Sequence, residues 1–197
     1  ARFSRVTLIT KKKKADSATN LAQGGVAAVL SVEDSVEAHV NDTLVSGDGL
    51  CNEAIVRIVT SEGPARVREL VEFGVRFQKG EHGEEFDLGM EGGHSTRRVA
   101  HASDLTGKEI ERALLAQIAQ HPNIEVLENH LAIDLLIESK ARGRERQEGD
   151  RCLGAYVLNR ITGEVETRLA GVTVLCTGGC GKVYLYTTNP DIATGDG

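Results

Sequence analysis

The sequence predicts an α/β domain with an antiparallel β-hairpin excursion. Three features carry that expectation: short β-branched runs at Val6 to Thr10 and Val172 to Cys176, helical segments with capping residues and a four-residue apolar repeat, and two strand-like runs flanking Thr162-Gly163. With 197 residues, 40% of them hydrophobic, the chain is long enough to bury a core. Twenty-three Lys and Arg against 29 Asp and Glu give a net charge of −6, which argues against a nucleic-acid surface. An aromatic share of 4% with no Trp argues against a base-stacking platform. No apolar run approaches the roughly 20 residues that span a bilayer, and no signal-peptide pattern opens the chain, so no membrane partner is expected. Cys51, Cys152, Cys176 and Cys180 form no regular framework and read as reduced, cytoplasmic thiols. Cys176 and Cys180 lack the spacing and partner histidines of a zinc site, and no metal is expected.

Taken in order, Val6 to Thr10 reads as a strand, followed by the basic run Lys11 to Lys14, which reads as a solvated loop. Ala18 to Gly25 is a small-residue stretch whose glycines permit positive φ or the close approach of a ligand or backbone. A helix is expected from Asp34, capped by that residue, with Val36, Val40 and Leu44 on one stripe and Gly47 and Gly49 beyond its end. A second helical region carries Ile55, Ile58 and Val59, is interrupted at Gly63-Pro64, and resumes through Val67, Leu70 and Val71 to a Gly74 stop. Val75 to Leu88 reads as a small hairpin around Gly80 and Gly83, and Met90 to Ser95 as a polar turn. Thr106 and Glu109 have capping-box spacing ahead of the stripe Ile110, Ala113, Leu114 and Ile118. Ile124 to Leu127 and Leu131 to Ile137 read as strands, Ser139 to Asp150 as a charged connection, and Cys152 to Asn159 with Glu164 to Leu169 as a hairpin. Val172 to Cys176 has the unbroken apolar character of a central strand and runs into Thr177-Gly178-Gly179, where an open α/β sheet places ligands.

Two glycine-rich turns, Ala22 to Gly25 and Thr177 to Gly181, offer backbone N–H groups to phosphate and ring oxygens. These features point to nucleotide binding, although a Gly-Gly pair is equally an ordinary turn. The usual ribose-binding carboxylate is replaced by Thr10-Lys11, and no G-x-G-x-x-G is present. Glu91 and His94 make a polar pair in a glycine-flanked turn, suited either to a substrate carboxylate or amine or to a plain surface turn. His101 and Asp104 read as capping or surface residues. The start at Ala1, almost at once in a strand, and the end at Thr194 to Gly197, in a loop entering a helix, read as an internal piece of a longer protein.

Five segments together resemble the L-aspartate oxidases, flavoenzymes of the succinate dehydrogenase and fumarate reductase flavoprotein superfamily. They are Ala22-Gln-Gly-Gly-Val-Ala-Ala-Val29, Glu37-Ala-His-Val-x-Asp-Thr-Leu44, Glu91-Gly-Gly-His-Ser95, His101-Ala-x-Asp-x-Thr-Gly107, and Thr177-Gly-Gly followed by Lys182-Val-Tyr-x-Tyr-Thr-Thr-Asn-Pro-Asp191. The resemblance implies the central part, residues 1–197, of a Rossmann-like FAD-binding domain lacking its first βαβ phosphate-binding turn, with the capping and C-terminal helical domains absent. It implies oxidation of L-aspartate to iminoaspartate by hydride transfer to the flavin, with O2 or fumarate as acceptor and quinolinate synthase as recipient of the unstable imine in NAD biosynthesis. Covalent members of the superfamily carry a flavin-bonded histidine where this chain has Ala18, which implies non-covalent FAD. Relatives acting on succinate carry Phe at the position of Glu91, which implies that Glu91 orients the substrate ammonium; His94, in the same turn, is the second candidate catalytic residue. The implied cofactor contacts are Lys11, Ala18, Thr19, Asn20, Leu21, Ala22, Gln23, Gly24, Gly25, Ala132, Thr177, Gly178 and Asp191. Met90 where Arg is common, Cys176 where Ala is common, and the basic Lys12 to Lys14 depart from the pattern. Because the carboxylate-binding His and Arg motifs are missing, the chain alone is expected to be inactive. The other readings are a fumarate reductase or succinate dehydrogenase type flavoprotein, or a truncated flavin-binding module.

Overall fold

The structure is a computed structural model that describes every residue except Arg2, His82, Gly83 and Asp104. The chain divides into two units: Thr19–Gln120, and Ala1–Ala18 together with His121–Gly197.

In the discontinuous unit, β1 (Val6–Thr10) pairs in parallel with β5 (Ile124–Glu128), Val6 opposite Ile124 and Thr10 opposite Glu128. The antiparallel excursion forms as expected: β6 (His130–Ile137), β7 (Cys152–Asn159) and β8 (Val165–Leu169) make one meander. Asn159 builds the β7–β8 turn, its side-chain oxygen accepting from the N–H groups of Ile161 (3.0 Å) and Thr162 (3.2 Å). Gly163 closes the turn at φ +78°, a left-handed geometry that glycine adopts without strain. The charged connection contains one helical turn, α5 (Glu138–Ala141). Val172 to Cys176 overturns the central-strand expectation: it belongs to no described strand, and Val172, Val174 and Leu175 are 80%, 76% and 58% exposed. An apolar run becomes a buried strand only where a neighbour supplies hydrogen bonds and two covering faces.

In Thr19–Gln120, a three-stranded antiparallel sheet has β4 (Val99–Ala100) between β2 (Val26–Ala27) and β3 (Leu88–Gly89). Its core is Ala28, Val67, Val75, Phe77, Phe86, Ala100 and Ala113. Phe77 and Phe86 meet edge to face, with centroids 6.0 Å apart. Gln78 and Asp87 face each other across the Val75–Leu88 excursion, Asp87 N–H donating to the Gln78 carbonyl at 2.9 Å. Strand geometry is confined to Leu88–Gly89, and Gly83 lies outside the described residues.

The helices depart from expectation in three ways. The cap of α2 (Val36–Ser46) is Ser35, whose hydroxyl accepts from Ala38 N–H at 3.1 Å; Asp34 is drawn away into a buried ion pair with Arg98. The break at Gly63-Pro64 does not occur, and α3 (Glu53–Glu72) runs through Pro64. Proline removes one intrahelical bond at a cost of about 3 kcal/mol, but Val67 and Leu70 anchor the far half in the core. At Gly63 the helix passes close to Ala28, at a distance where an added Cβ would make ordinary contact. At α4 (Thr106–Gln120) Thr106 is itself the first helical residue rather than the cap ahead of it. The Thr106 hydroxyl instead donates to the Gly24 carbonyl at 2.7 Å, and Glu109 accepts from the Arg76 amide and pairs with Arg112.

Candidate functional site

The segment Ala18 to Gly25 contains α1 (Ala18–Leu21), a single helical turn that straddles the boundary between the units. Ala18, Thr19, Leu21, Ala22, Gln23, Gly24 and Gly25 are exposed and Asn20 is half-buried. Two bonds tie the loop to the start of α4: Gly107 N–H donates to the Ala22 carbonyl at 3.0 Å, and the Thr106 hydroxyl to that of Gly24. The two glycines serve different needs, and neither has positive φ. A Cβ at Gly25 would meet the Ala100 carbonyl oxygen at 2.6 Å, so this position needs glycine for close approach to β4; a Cβ at Gly24 would meet open space.

The Glu91 turn leaves the same small sheet after β3. His94 N–H donates to the Glu91 carbonyl at 3.2 Å, and Gly93 supplies φ +87°. Glu91 is exposed and His94 half-buried. From the strand register, Gly25 enters the sheet beyond Ala100 while Met90 leaves it before Val99. The two segments therefore stand at opposite ends of β4, about 10 Å apart along the strand at three residues' rise.

Beneath the turn is a buried charge cluster. The fully buried Arg98 guanidinium donates to both Asp34 carboxylate oxygens at 2.9 Å and to Asp42 Oδ2 at 2.7 Å. Asp42 Oδ2 also accepts from the Ser95 amide and hydroxyl, each at 2.8 Å. These bonds, the Ser95 amide first, hold the Asp42 carboxyl below its ordinary range. The rings of His39 and His94 meet edge to face at 6.2 Å, and their Nδ1 atoms are buried without a hydrogen-bond partner among the described residues. Burial first, then the Arg98 charge, pushes the His39 imidazole below its ordinary value, so neutral His39 is favoured.

In the discontinuous unit, Lys11 and Thr177 both meet residues 194–197. The Lys11 ammonium, just after β1, donates to Thr194 and Asp196. Gly195 N–H donates to Gly179 at 3.2 Å, next to Gly178 at φ +74°, and a Cβ on Gly197 would run into the Thr177 hydroxyl. Asp191 pairs with Lys182 at 2.8 Å, and that ammonium lowers its carboxyl pKa. Ala132 is exposed on β6, opposite Val157.

Sequence reasoning missed Asp34, Asp42, Arg98 and Asp196. Arginine beside Val99-Ala100 at a strand start was a usable sign of burial, because a buried guanidinium requires carboxylate partners. His101 is half-buried with its ring nitrogen 3.6 Å from Asp87, and Asp104 lies outside the described residues.

The profile of the FAD binding domain family matches residues 1–197. The chain is 48% identical over its whole length to L-aspartate oxidase 2-a, chloroplastic, of Nicotiana tabacum, of which it covers 30%. It is 48% identical over 98% of its length to L-aspartate oxidase 1 of Ralstonia nicotianae, of which it covers 36%. Among solved structures, a mutated E. coli quinol fumarate reductase FrdA matches 98% of this chain and 31% of its own, with a TM-score of 0.88 at 31% identity. The Mycobacterium smegmatis Sdh1 complex matches 98% and 33%, with a TM-score of 0.87 at 30% identity. The chain thus spans about a third of the length of the proteins it resembles.

Proposed function

Because this chain belongs to the FAD binding domain family, we propose that it is the central part of the flavin domain of an enzyme that oxidises L-aspartate to iminoaspartate. In this reading it is a Rossmann-like domain without its first phosphate-binding turn. The observation that carries the proposal is Glu91: an exposed carboxylate on a turn held to the sheet and to Asp42, in a chain 48% identical throughout to L-aspartate oxidases.

The residues present suit FAD. Gly25 permits a close backbone approach, Gly24 faces open space, and Gly178 presents an exposed peptide at positive φ. Within Thr19–Gln120 the residues that would contact the cofactor are Thr19 to Gly25; within the discontinuous unit they are Lys11, Ala18, Ala132, Thr177, Gly178 and Asp191. Lys11 would act by fixing the end of β1 through Asp196, since its ammonium is already engaged. Ala18 cannot form a flavin bond of the histidyl type, so the cofactor would be non-covalent.

When bound, FAD supplies the acceptor for the two electrons that leave L-aspartate with its Cα–H. The chain's own contribution is orientation, a large part of such a rate gain. The Glu91 carboxylate accepts a charge-assisted hydrogen bond from the substrate ammonium and repels a dicarboxylate that lacks one. His94, whose ring meets that of His39 edge to face, would support the turn. O2 or fumarate would take the electrons onward, and quinolinate synthase would consume the imine. A reducing compartment suits the four free cysteines, and the cytoplasm is the proposed location.

The second reading, a fumarate reductase or succinate dehydrogenase type flavoprotein, draws on the solved structures matched at 30 and 31% identity. Ala18 and Glu91 both weigh against it. Anaerobic flavin bleaching in the complete flavoenzyme separates the two. Bleaching by L-aspartate and not by succinate is expected, and the reverse would overturn the proposal. The 197-residue chain alone should neither retain FAD nor turn over, and a yellow, active preparation would refute that.

A further inference from the structure

Resting on the reading of Glu91 as the ammonium partner, we infer that Asp42 is a positioning residue: with Arg98 behind it, Asp42 fixes the turn that presents Glu91. The single oxygen Oδ2 takes three donors, Ser95 N–H and Oγ–H at 2.8 Å and Arg98 Nη1 at 2.7 Å. Arg98 cannot swing away, because its Nε and Nη2 are spent on Asp34 and its side chain is fully buried. Its backbone is fixed as well, the N–H donating to Gly89 at 3.0 Å and the carbonyl accepting from Ala28 at 2.9 Å. The span from Gly89 to Ser95 is therefore pinned at one end by the Arg98 backbone and at the other by Asp42. Within it, His94 N–H closes onto the Glu91 carbonyl and Gly93 lies against Ser46.

The stoichiometry argues that the second carboxylate serves the turn. Asp34 alone, in two-point contact, neutralises Arg98; a further buried carboxylate incurs desolvation that the guanidinium no longer demands. Asp42 nevertheless has a side chain only 11% exposed, and it gives Ser95 both of its bonds. An acceptor that captures the amide and the hydroxyl of one residue restrains both its backbone and its rotamer. Four residues upstream, Glu91 inherits that restraint.

The test uses the complete flavoenzyme with Ser95→Ala, Ser95→Thr and Asp42→Asn, each with Glu91 and with Glu91→Gln. Ser95→Ala removes one donor and leaves the Asp34, Arg98 and Asp42 cluster intact, so the fold is retained. It should speed deuterium uptake in residues 90–96 and raise KM for L-aspartate roughly three- to tenfold, with kcat within about twofold. Ser95→Thr should restore both readings, and Asp42→Asn should exceed Ser95→Ala in both. With Gln at 91, neither variant should raise KM further. Unchanged uptake in the turn, or KM increases of equal size in both backgrounds, overturns the positioning role and leaves the Glu91 reading standing. A Glu91→Gln enzyme with unaltered KM overturns the Glu91 reading and this inference together, a pattern separate from the first.

Discussion

Thr19–Gln120 and the discontinuous unit use similar amounts of apolar sequence in different ways. In the first, side chains from α3, β4 and α4 converge with Phe77 and Phe86, and a guanidinium with two carboxylates is buried near them. In the second, burial is concentrated on the meander, at Leu136, Ala155 and Val157, while Val172, Val174, Tyr184, Leu185 and Tyr186 are 70 to 89% exposed. Both units leave apolar side chains uncovered, Val32, Val45 and Leu50 in the first among them; the difference lies in the joint core of helices and sheet that the first assembles. Helices of about three to five turns on a small sheet can cover one another; a lone extended run cannot.

That contrast can be broken first at its charges. Asp34→Ala leaves Arg98 half-compensated in the interior and should cost about 3–5 kcal/mol of the stability of Thr19–Gln120 in urea unfolding. Lys140→Ala, which removes the exposed partner of Asp134 on the other unit, should leave the unfolding midpoint where it was. Phe77→Ala should cost about 3–4 kcal/mol through its cavity, whereas Val174→Ala, at an exposed position, should stay within about 0.5 kcal/mol.

Acid should test the buried charges of Thr19–Gln120 as well. His39 is favoured neutral, so its contribution is complete above its unfolded value of about 6.5 and declines as pH falls through the lowered folded value. Asp42 is favoured ionised, and its contribution is complete above about pH 3.9 and lost on further acidification. Thermal melts of the chain should therefore weaken in two limbs. His39→Gln should flatten the upper limb and Asp42→Asn the lower, and a melting temperature independent of pH from 7 down to about 4 would contradict the His39 assignment. The loop carries the same contrast on a smaller scale: Gly25→Ala should cost about 1–3 kcal/mol by displacing β4, and Gly24→Ala only a few tenths.

Much of this was legible. The β7–β8 hairpin, the β1 and β5 strands, the Met90–Ser95 turn and the Gly74 stop follow from turn chemistry and local periodicity, which act over a few residues. The candidate site was legible in its exposed parts, Glu91 and the glycine-rich loop, because small and charged residues in a turn stand out from a scaffold. Its foundation was not. Asp34 reads locally as a helix cap and Thr106 as half of a capping box, and both expectations are sound for an isolated segment. Each failed because a distant partner, Arg98 for one and the Gly24 carbonyl for the other, offered the same side chain a better-buried bond.

By itself, then, the sequence determined the tight turns and most of the helices and strands, and it carried the family resemblance in short motifs. Those are properties of neighbours along the chain. Only the tertiary structure decided that α3 runs straight through Pro64, that Val172 to Cys176 lies uncovered, and that Asp42 grips Ser95 across 53 residues. Buried charge and packing enforce such choices, because a guanidinium or an apolar face removed from water must find its partner wherever along the chain that partner lies.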